Sequence, residues 1–205
     1  HHANIAPWQA LAQERGVVLR WLPLDLATSR HAEGALERLL SPRTKVVAVG
    51  AASNILGTVS DVHTMVAMAK AAGAITVVDA VHYAPHALVD VQAIGCDFLL
   101  CSAYKFYGPH QGILFGRREV TEPLDAYKLR VVPNQIPDKY ETGTQSLEGQ
   151  AGVLGAIEYM RWYASEFAGG HVAAEKAAGR NDRTAHIHGA MHAMVEYEQT
   201  LSRRL

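Results

Sequence analysis

Short runs of Val, Ile and Leu alternate with segments of helical periodicity along most of this 205-residue chain, and that alternation is what most restricts its fold. A strand with one face in water alternates apolar and polar residues, whereas a strand covered on both faces is apolar almost throughout. TKVVAVGAAS, AITVVDAV, DFLLCSAY and GILFGR are of the second kind. The helical segments between them supply the crossovers that parallel strands need. The expectation is therefore an α/β fold, a three-layer α/β/α arrangement with a mainly parallel sheet.

Boundary signals fill in the order of elements. IAPWQALAQERG reads as a helix ended by Gly16, followed by a strand VVLRWLPL, and HAEGALERLLS as a second helix. DVHTMVAMAKAAG is a helix ended by Gly73, and VDVQAIG a short helical turn. The segment VTEPLDAYKLRVVPNQIPDKYETGTQS is rich in proline and polar residues and reads as a loop excursion. LEGQAGVLGAIEYMRWYASEF then has long helical periodicity, Gly169 and Gly170 break the pattern, and a last helix runs from about residue 184 to the end.

Composition removes several functional classes. A net charge of −1 gives no footprint for nucleic acid or an anionic membrane. The apolar runs stop well short of the roughly 18 residues that suggest a membrane span. Cys96 and Cys101 flank an apolar run and, five residues apart in a strand, would face opposite ways, so two buried thiols are expected rather than a disulfide.

Ligands in open parallel sheets gather beyond the carboxyl ends of the strands. Three such ends carry polar residues: Asn54 after KVVAVGA, Asp79 with His82 in VVDAVHYAPH, and Ser102, Tyr104 and Lys105 in CSAYKFYGP. Singly, each has an ordinary structural explanation, a turn cap for the aspartate or a snorkelling stem for the lysine. Together they suggest more. A lysine in a cleft is a nucleophile toward carbonyls, and a carboxylate across from it can keep a pyridine nitrogen protonated, the combination that makes pyridoxal phosphate an electron sink.

The stretch VVDAVHYAPHALVDVQAIGCDFLLCSAYKFYGPHQGILFGR resembles the core of the class V aminotransferase superfamily of fold type I pyridoxal phosphate enzymes. It is most similar to the cysteine desulfurase and selenocysteine lyase branch, in which a DxxQ or DxxH strand end precedes a segment of the form SxHKxxGPxGxGxL. HHANIAPW resembles that family's HHANIxPW segment, SNILGTV its SNxxGT segment, and YETGTQSLEGQAGVLGAIEY its EAGTPN-plus-helix segment. ETGTQ preceded by LDAYKLR is closest to a cysteine desulfurase-like subgroup. The matches run from residue 1 to about residue 165, in the family's order, so HHAN reads neither as a tag nor as a metal clamp but as a point within a larger cofactor-binding domain.

The resemblance implies roles by position. Lys105 would form the internal aldimine and shuttle protons, with His1 stacked on the ring as a second catalytic residue. Asp79 would pair with the pyridine nitrogen, Asn54 and His82 with ring oxygens, and Ser102 with the phosphate. Tyr104 stands where desulfurases usually carry histidine, and its hydroxyl could still bond phosphate. Thr144 would reach the phosphate of a neighbouring subunit's cofactor. The resemblance further implies a seven-stranded sheet, a homodimer in the cytoplasm, an amino acid substrate and a sulfur acceptor protein. Residues 1–168 would be the cofactor-binding large domain and residues 169–205 a linker and the start of a small domain.

Departures and rivals qualify that picture. The phosphate-binding glycine loop, the carboxylate-binding arginine and the persulfide cysteine of the family match nothing in this chain, and Cys96 and Cys101 do not replace the last. Another class V reaction (transaminase, epimerase or lyase), a non-catalytic relative, or an inert fragment of an active parent are the alternatives. His186, His188 and His192 in HIHGAMH raise a metal site. With no third ligand at a matching spacing, an exposed helix face is the preferred reading, and no metal is expected.

Overall fold

A computed structural model of the chain describes residues 1–141 and 143–205. In order, the elements are α1 (Ala6–Arg15), β1 (Leu24–Asp25), β2 (Arg30–His31), α2 (Ala35–Leu39), β3 (Val46–Gly50), α3 (Val62–Ala71) and β4 (Ile75–Asp79). They continue with α4 (Val91–Ile94), β5 (Phe98–Ser102), β6 (Gly112–Gly116), α5 (Arg118–Thr121), α6 (Leu147–Phe167), α7 (Gly169–Ala177) and α8 (Asp182–Ser202). Single 3₁₀ turns cover His2–Asn4 and Ala103–Lys105.

The chain divides into two compact units, His1–Tyr83 with Asp90–Cys101 and Leu114–Asp125, and Ala84–Val89 with Ser102–Ile113 and Ala126–Leu205. In the first, the strands follow the order β3-β4-β5-β6, and β3 to β4 and β4 to β5 run parallel. β6 runs antiparallel to β5, because Arg117 N–H donates to Asp97 O ahead of β5 while Ala103 N–H donates to Gln111 O beyond it. The fold class is thus α/β with a mainly parallel sheet. Val78 and Leu99 are buried in it, and α3 covers it with Val62, Met65, Val66 and Ala69, an i, i+3, i+4, i+7 stripe.

Local chemistry sets the boundaries. Asp61 caps α3 by accepting the Thr64 N–H at 3.1 Å, and Asp90 caps α4 by accepting from Gln92 and Ala93. Before β5, buried Asp97 accepts from the Thr76 N–H and hydroxyl at 2.9 and 3.0 Å and pairs with Arg117 at 2.6 Å. That network ties the amino-terminal ends of β4 and β5 to the segment after β6, at the edge of the sheet opposite the strand ends that carry Asp79.

The second unit is helical at its centre. Met160 and Ala164 of α6, Val172 of α7, and Ala185, Ala190, Met191 and Met194 of α8 form one buried cluster. Gly189 lies so close to α7 that a Cβ there would come within 2.8 Å of Val172 Cγ2 and 3.0 Å of its backbone nitrogen.

Three expectations change. VVLRWLPL holds no strand over residues 17–23: Val17, Val18 and Trp21 are exposed, and backbone pairing begins only at Leu24, in the two-stranded ribbon β1-β2. The sheet itself has four strands among the described residues, not seven. α6 does end just ahead of Gly169 and Gly170, at Phe167, but the two glycines open a further helix, α7, on which Val172 is buried. Among the described residues, no helix is long and apolar enough to cross a membrane.

Candidate active site

Parallel pairing brings the carboxyl ends of β3, β4 and β5 to one edge. Gly50 is the register partner of Asp79, and Asp79 of Leu100. Pairing continues one residue further, with Ala51 N–H donating to Asp79 O and Ala80 N–H to Leu100 O, both at 2.8 Å. Both alanines are buried. Asp79 is therefore fixed by backbone on both sides, and its half-buried carboxylate projects from a rigid point. Its Oδ1 accepts the Val81 N–H at 3.1 Å, and among the described residues no Lys or Arg forms an ion pair with it.

Other predicted residues of this unit surround the same edge. Asn54 is exposed in the turn after β3, where Ser53 Oγ accepts from Ile55 and Leu56 at 3.3 and 3.1 Å. His82 is half-buried three residues after Asp79. His1 is exposed and accepts the Ala3 N–H on Nδ1 at 3.1 Å, so its ring caps the first 3₁₀ turn. It lines an open cleft of about 540 Å³ together with Ala52, Ser53, Arg30 and Asp61. Asn54, Asp79 and His82 are not among the residues of that cleft's wall.

In the second unit the chain from Ser102 to Gln111 closes on itself around Lys105. The Ala103 carbonyl accepts the Phe106 N–H at 3.0 Å and the Gly108 N–H at 2.8 Å, and Ala103 itself is fully buried. Residue 108 must be glycine for this closure, since a Cβ would lie 2.8 Å from Ala103 Cβ and 2.9 Å from Ala103 O. Lys105, exposed at the end of the 3₁₀ turn, holds its Nζ 5.1 Å from the Tyr104 ring centroid. Tyr104 stacks on His110 at 5.1 Å and 21°. A cation over an aromatic face at an exposed site gains only about 0.5–1 kcal/mol, so the contact steers the amine weakly. Among the described residues no carboxylate pairs with it. Ser102 is half-buried and Thr144 is exposed just ahead of α6.

Tyr107, which the sequence does not single out, has a left-handed backbone at φ 68°. Its ring meets Tyr159 of α6 at 5.0 Å and its hydroxyl donates to Met194 Sδ of α8 at 3.8 Å. Burial of the hydroxyl end, with Tyr159, Glu198 and Tyr163 nearby, pushes the phenol above its ordinary pKa, so it stays a neutral donor.

The two cysteines are unpaired as expected, whereas the histidine cluster departs from its expected exposed face. His188 is not on an exposed face: it is 13% exposed, and its Nδ1 meets Glu175 Oε2 at 3.0 Å, while His192 meets Oε1 at 3.3 Å. The acidic partner comes from α7, invisible at linear spacing. Among the described residues no group of three or more His, Cys, Asp or Glu is arranged to hold a metal ion. Cys96 is buried, Cys101 is only half-buried, both are free thiols, and burial raises both pKa values.

Comparison with known proteins follows the same lines. The aminotransferase class-V family model matches residues 1–179. The cysteine desulfurases of Pectobacterium carotovorum and Yersinia pestis are each 39% identical over 173 residues, covering 78% of this chain and 42% of each relative. Among solved structures, the cysteine desulfurase CsdA of Escherichia coli superposes with a TM-score of 0.73 at 30% identity, over 88% of this chain and 49% of that one. The cysteine desulfurase of Thermococcus onnurineus gives 0.69 at 31% identity, over 78% and 42%. The chain thus spans less than half the length of these relatives. With the match extending over most of its residues and its polar strand ends in place, this chain belongs to the aminotransferase class-V family.

Proposed function

We propose that the protein is a pyridoxal phosphate-dependent enzyme acting at the α carbon of an amino acid, with the reaction of a cysteine desulfurase. The observation that carries this reading is the joint presence, in a class-V chain, of a rigidly placed carboxylate, Asp79, and a lysine, Lys105, neither of which has an ion-pair partner among the described residues. The names of the relatives favour desulfuration over transamination, epimerisation or another elimination.

The donor set fits the cofactor by its chemistry. Lys105 Nζ is a nucleophile suited to an aldehyde, Asp79 an acceptor for a protonated pyridine nitrogen, and Ser102, Tyr104 and Thr144 are hydroxyl donors suited to a phosphate. Once bound, the cofactor supplies an electron sink for the pair left at the substrate α carbon. Lys105 Nζ would hold the aldehyde carbon and then move the proton at the substrate α carbon. Asp79 Oδ2 would hold the proton on the ring nitrogen, its Oδ1 being occupied by the Val81 N–H. Asn54 and His82 would orient the ring through its oxygen, and His1 would cover its face, which requires its Nδ1 to leave the Ala3 N–H or its ring to act while so anchored.

In the overall reaction the Cβ–S bond of cysteine breaks, Cβ takes a proton to give alanine, and the sulfur passes to an acceptor thiol that becomes a persulfide. Cys96 and Cys101 are poor acceptors, because burial disfavours their thiolates. The acceptor is therefore a thiol other than these two. A homodimer, with Thr144 serving a neighbouring subunit's site, and a boundary near residue 168 between the large domain and the following segment, belong to the same proposal.

Borohydride reduction of the protein incubated with pyridoxal phosphate, followed by peptide mapping, tests it. A stable pyridoxyl mass on Lys105 is expected, lost in Lys105→Ala. No adduct in the wild type, or an adduct that maps elsewhere, overturns the cofactor reading. An adduct on Lys105 with no alanine formed from L-cysteine in the presence of a thiol overturns the desulfurase assignment and leaves another class V reaction.

A further inference from the structure

We infer that Tyr107 is a positioning residue for Lys105: its ring clamps the lysine-bearing turn to helices α6 and α8. This rests on the reading of Lys105 as the cofactor-binding amine. Tyr107 sits between the two amides, Phe106 and Gly108, that share the Ala103 carbonyl. Its left-handed backbone, φ 68°, is one that a non-glycine residue adopts only at a cost in strain. A glycine would carry that conformation without strain, as Gly95 and Gly143 do at φ 71° and 80°.

The strain is offset by what the side chain reaches. Its ring packs on Tyr159 at 5.0 Å and an interplanar angle of 59°, a geometry suited to aromatic pairs. Its hydroxyl reaches Met194, which is 7% exposed within the α6-α7-α8 cluster. Tyr159 in turn meets Trp162 at 5.7 Å, and Trp162 meets Phe167 at 5.9 Å. Tyr107 is itself 59% exposed, so these are edge contacts rather than core filling. Removing the ring should therefore loosen the turn without collapsing the helices. Strained non-glycine residues held by surrounding contacts concentrate at functional sites, and this one lies two residues from the amine.

Two variants separate the ring from the backbone and from the hydroxyl. Tyr107→Gly keeps the left-handed backbone and loses the ring, and Tyr107→Phe keeps the ring and loses the hydroxyl. Hydrogen exchange without cofactor reads the turn directly. Protection of the Phe106 and Gly108 amides should fall on the order of tenfold in Tyr107→Gly and stay near wild type in Tyr107→Phe. The rate of pyridoxal phosphate capture on Lys105 should also fall on the order of tenfold in Tyr107→Gly, with a displaced pH profile, since misplacing a reacting group by about an ångström costs that much or more. Unchanged protection in Tyr107→Gly overturns the clamp, whatever the capture assay gives. Lost protection with an unchanged capture rate and pH profile overturns the positioning role. If the wild type captures nothing on Lys105, the cofactor reading fails and positioning for capture fails with it, while exchange alone decides whether the ring clamps the turn.

Discussion

Asp79 stands directly opposite Leu100 in the parallel pairing of β4 and β5, and Ser102 and Lys105 follow Leu100 by two and five residues. Sheet register thus places the backbone that carries the carboxylate, and the Val81 N–H that Oδ1 accepts holds the carboxylate itself. A slip of one residue would turn it to the other face. The buried pairs on either side, Ala51 to Asp79 O and Ala80 to Leu100 O, resist that slip.

Asp79→Ala should leave the sheet folded and impair chemistry. The lost bond to Val81 N–H costs about 1 kcal/mol, whereas removing the charge proposed to hold the proton on the ring nitrogen should lower turnover by about a hundredfold or more. Alanine formation from L-cysteine measures the second effect and urea denaturation the first. Turnover within a few-fold of wild type would sink the assigned role.

Asp97→Ala should destabilise without touching the proposed site. It leaves Thr76 without its buried acceptor and Arg117 without the 2.6 Å pair. Because the Arg117 side chain is 41% exposed and can rehydrate, the expected loss is about 2–3 kcal/mol, below the full cost of an orphaned buried charge. Chemical denaturation measures it, and a loss under half a kcal/mol would contradict the network's role.

Gly108→Ala should harm both the fold and the lysine. Its new Cβ would meet Ala103 Cβ and the Ala103 carbonyl at 2.8 and 2.9 Å, and one of the two atoms is backbone that cannot swing aside. The turn must open, at about 1–3 kcal/mol, and capture of pyridoxal phosphate by Lys105 should slow with it. Thermal melting and the borohydride trap are the two measurements.

Glu175→Gln should show its effect in the pH dependence of stability. Burial pushes the Glu175 carboxyl up, but bonds and charge from His188 and His192 outweigh it, leaving a net pKa below the ordinary glutamate value. A carboxyl depressed in the folded state binds fewer protons than in the unfolded state. Its contribution is therefore present above the unfolded pKa and lost as pH falls through the folded one. Wild type should exceed the variant in stability at neutral pH, and the gap should close on acidification below the ordinary glutamate range. A gap that widens there would contradict the sign.

How much was legible varied with the physical signal. β3, β4, β5 and β6 were readable because short, near-continuous Val, Ile and Leu runs between helical segments fit strands covered on both faces. α3 and α4 were readable from helical patterns that stop at Gly73 and Gly95. VVLRWLPL carries the same propensity as a true strand, yet pairing needs a partner, and none is written in the segment itself. α7 was hidden by two glycines whose cost is met by Val172 packing beside Gly189, 17 residues onward in the chain. His188 looked solvent-facing for a like reason: Glu175 comes from another helix.

The sequence by itself determined the α/β class, the polar strand ends and the chemical identities of Asp79 and Lys105, because these depend on local periodicity and on residue type at fixed positions. Only the tertiary structure decided the register that sets Asp79 against Leu100, the closure of the Lys105 turn on Ala103, and the tie from Tyr107 to Tyr159 and Met194. Those three depend on distances between residues remote in sequence, which only packing fixes.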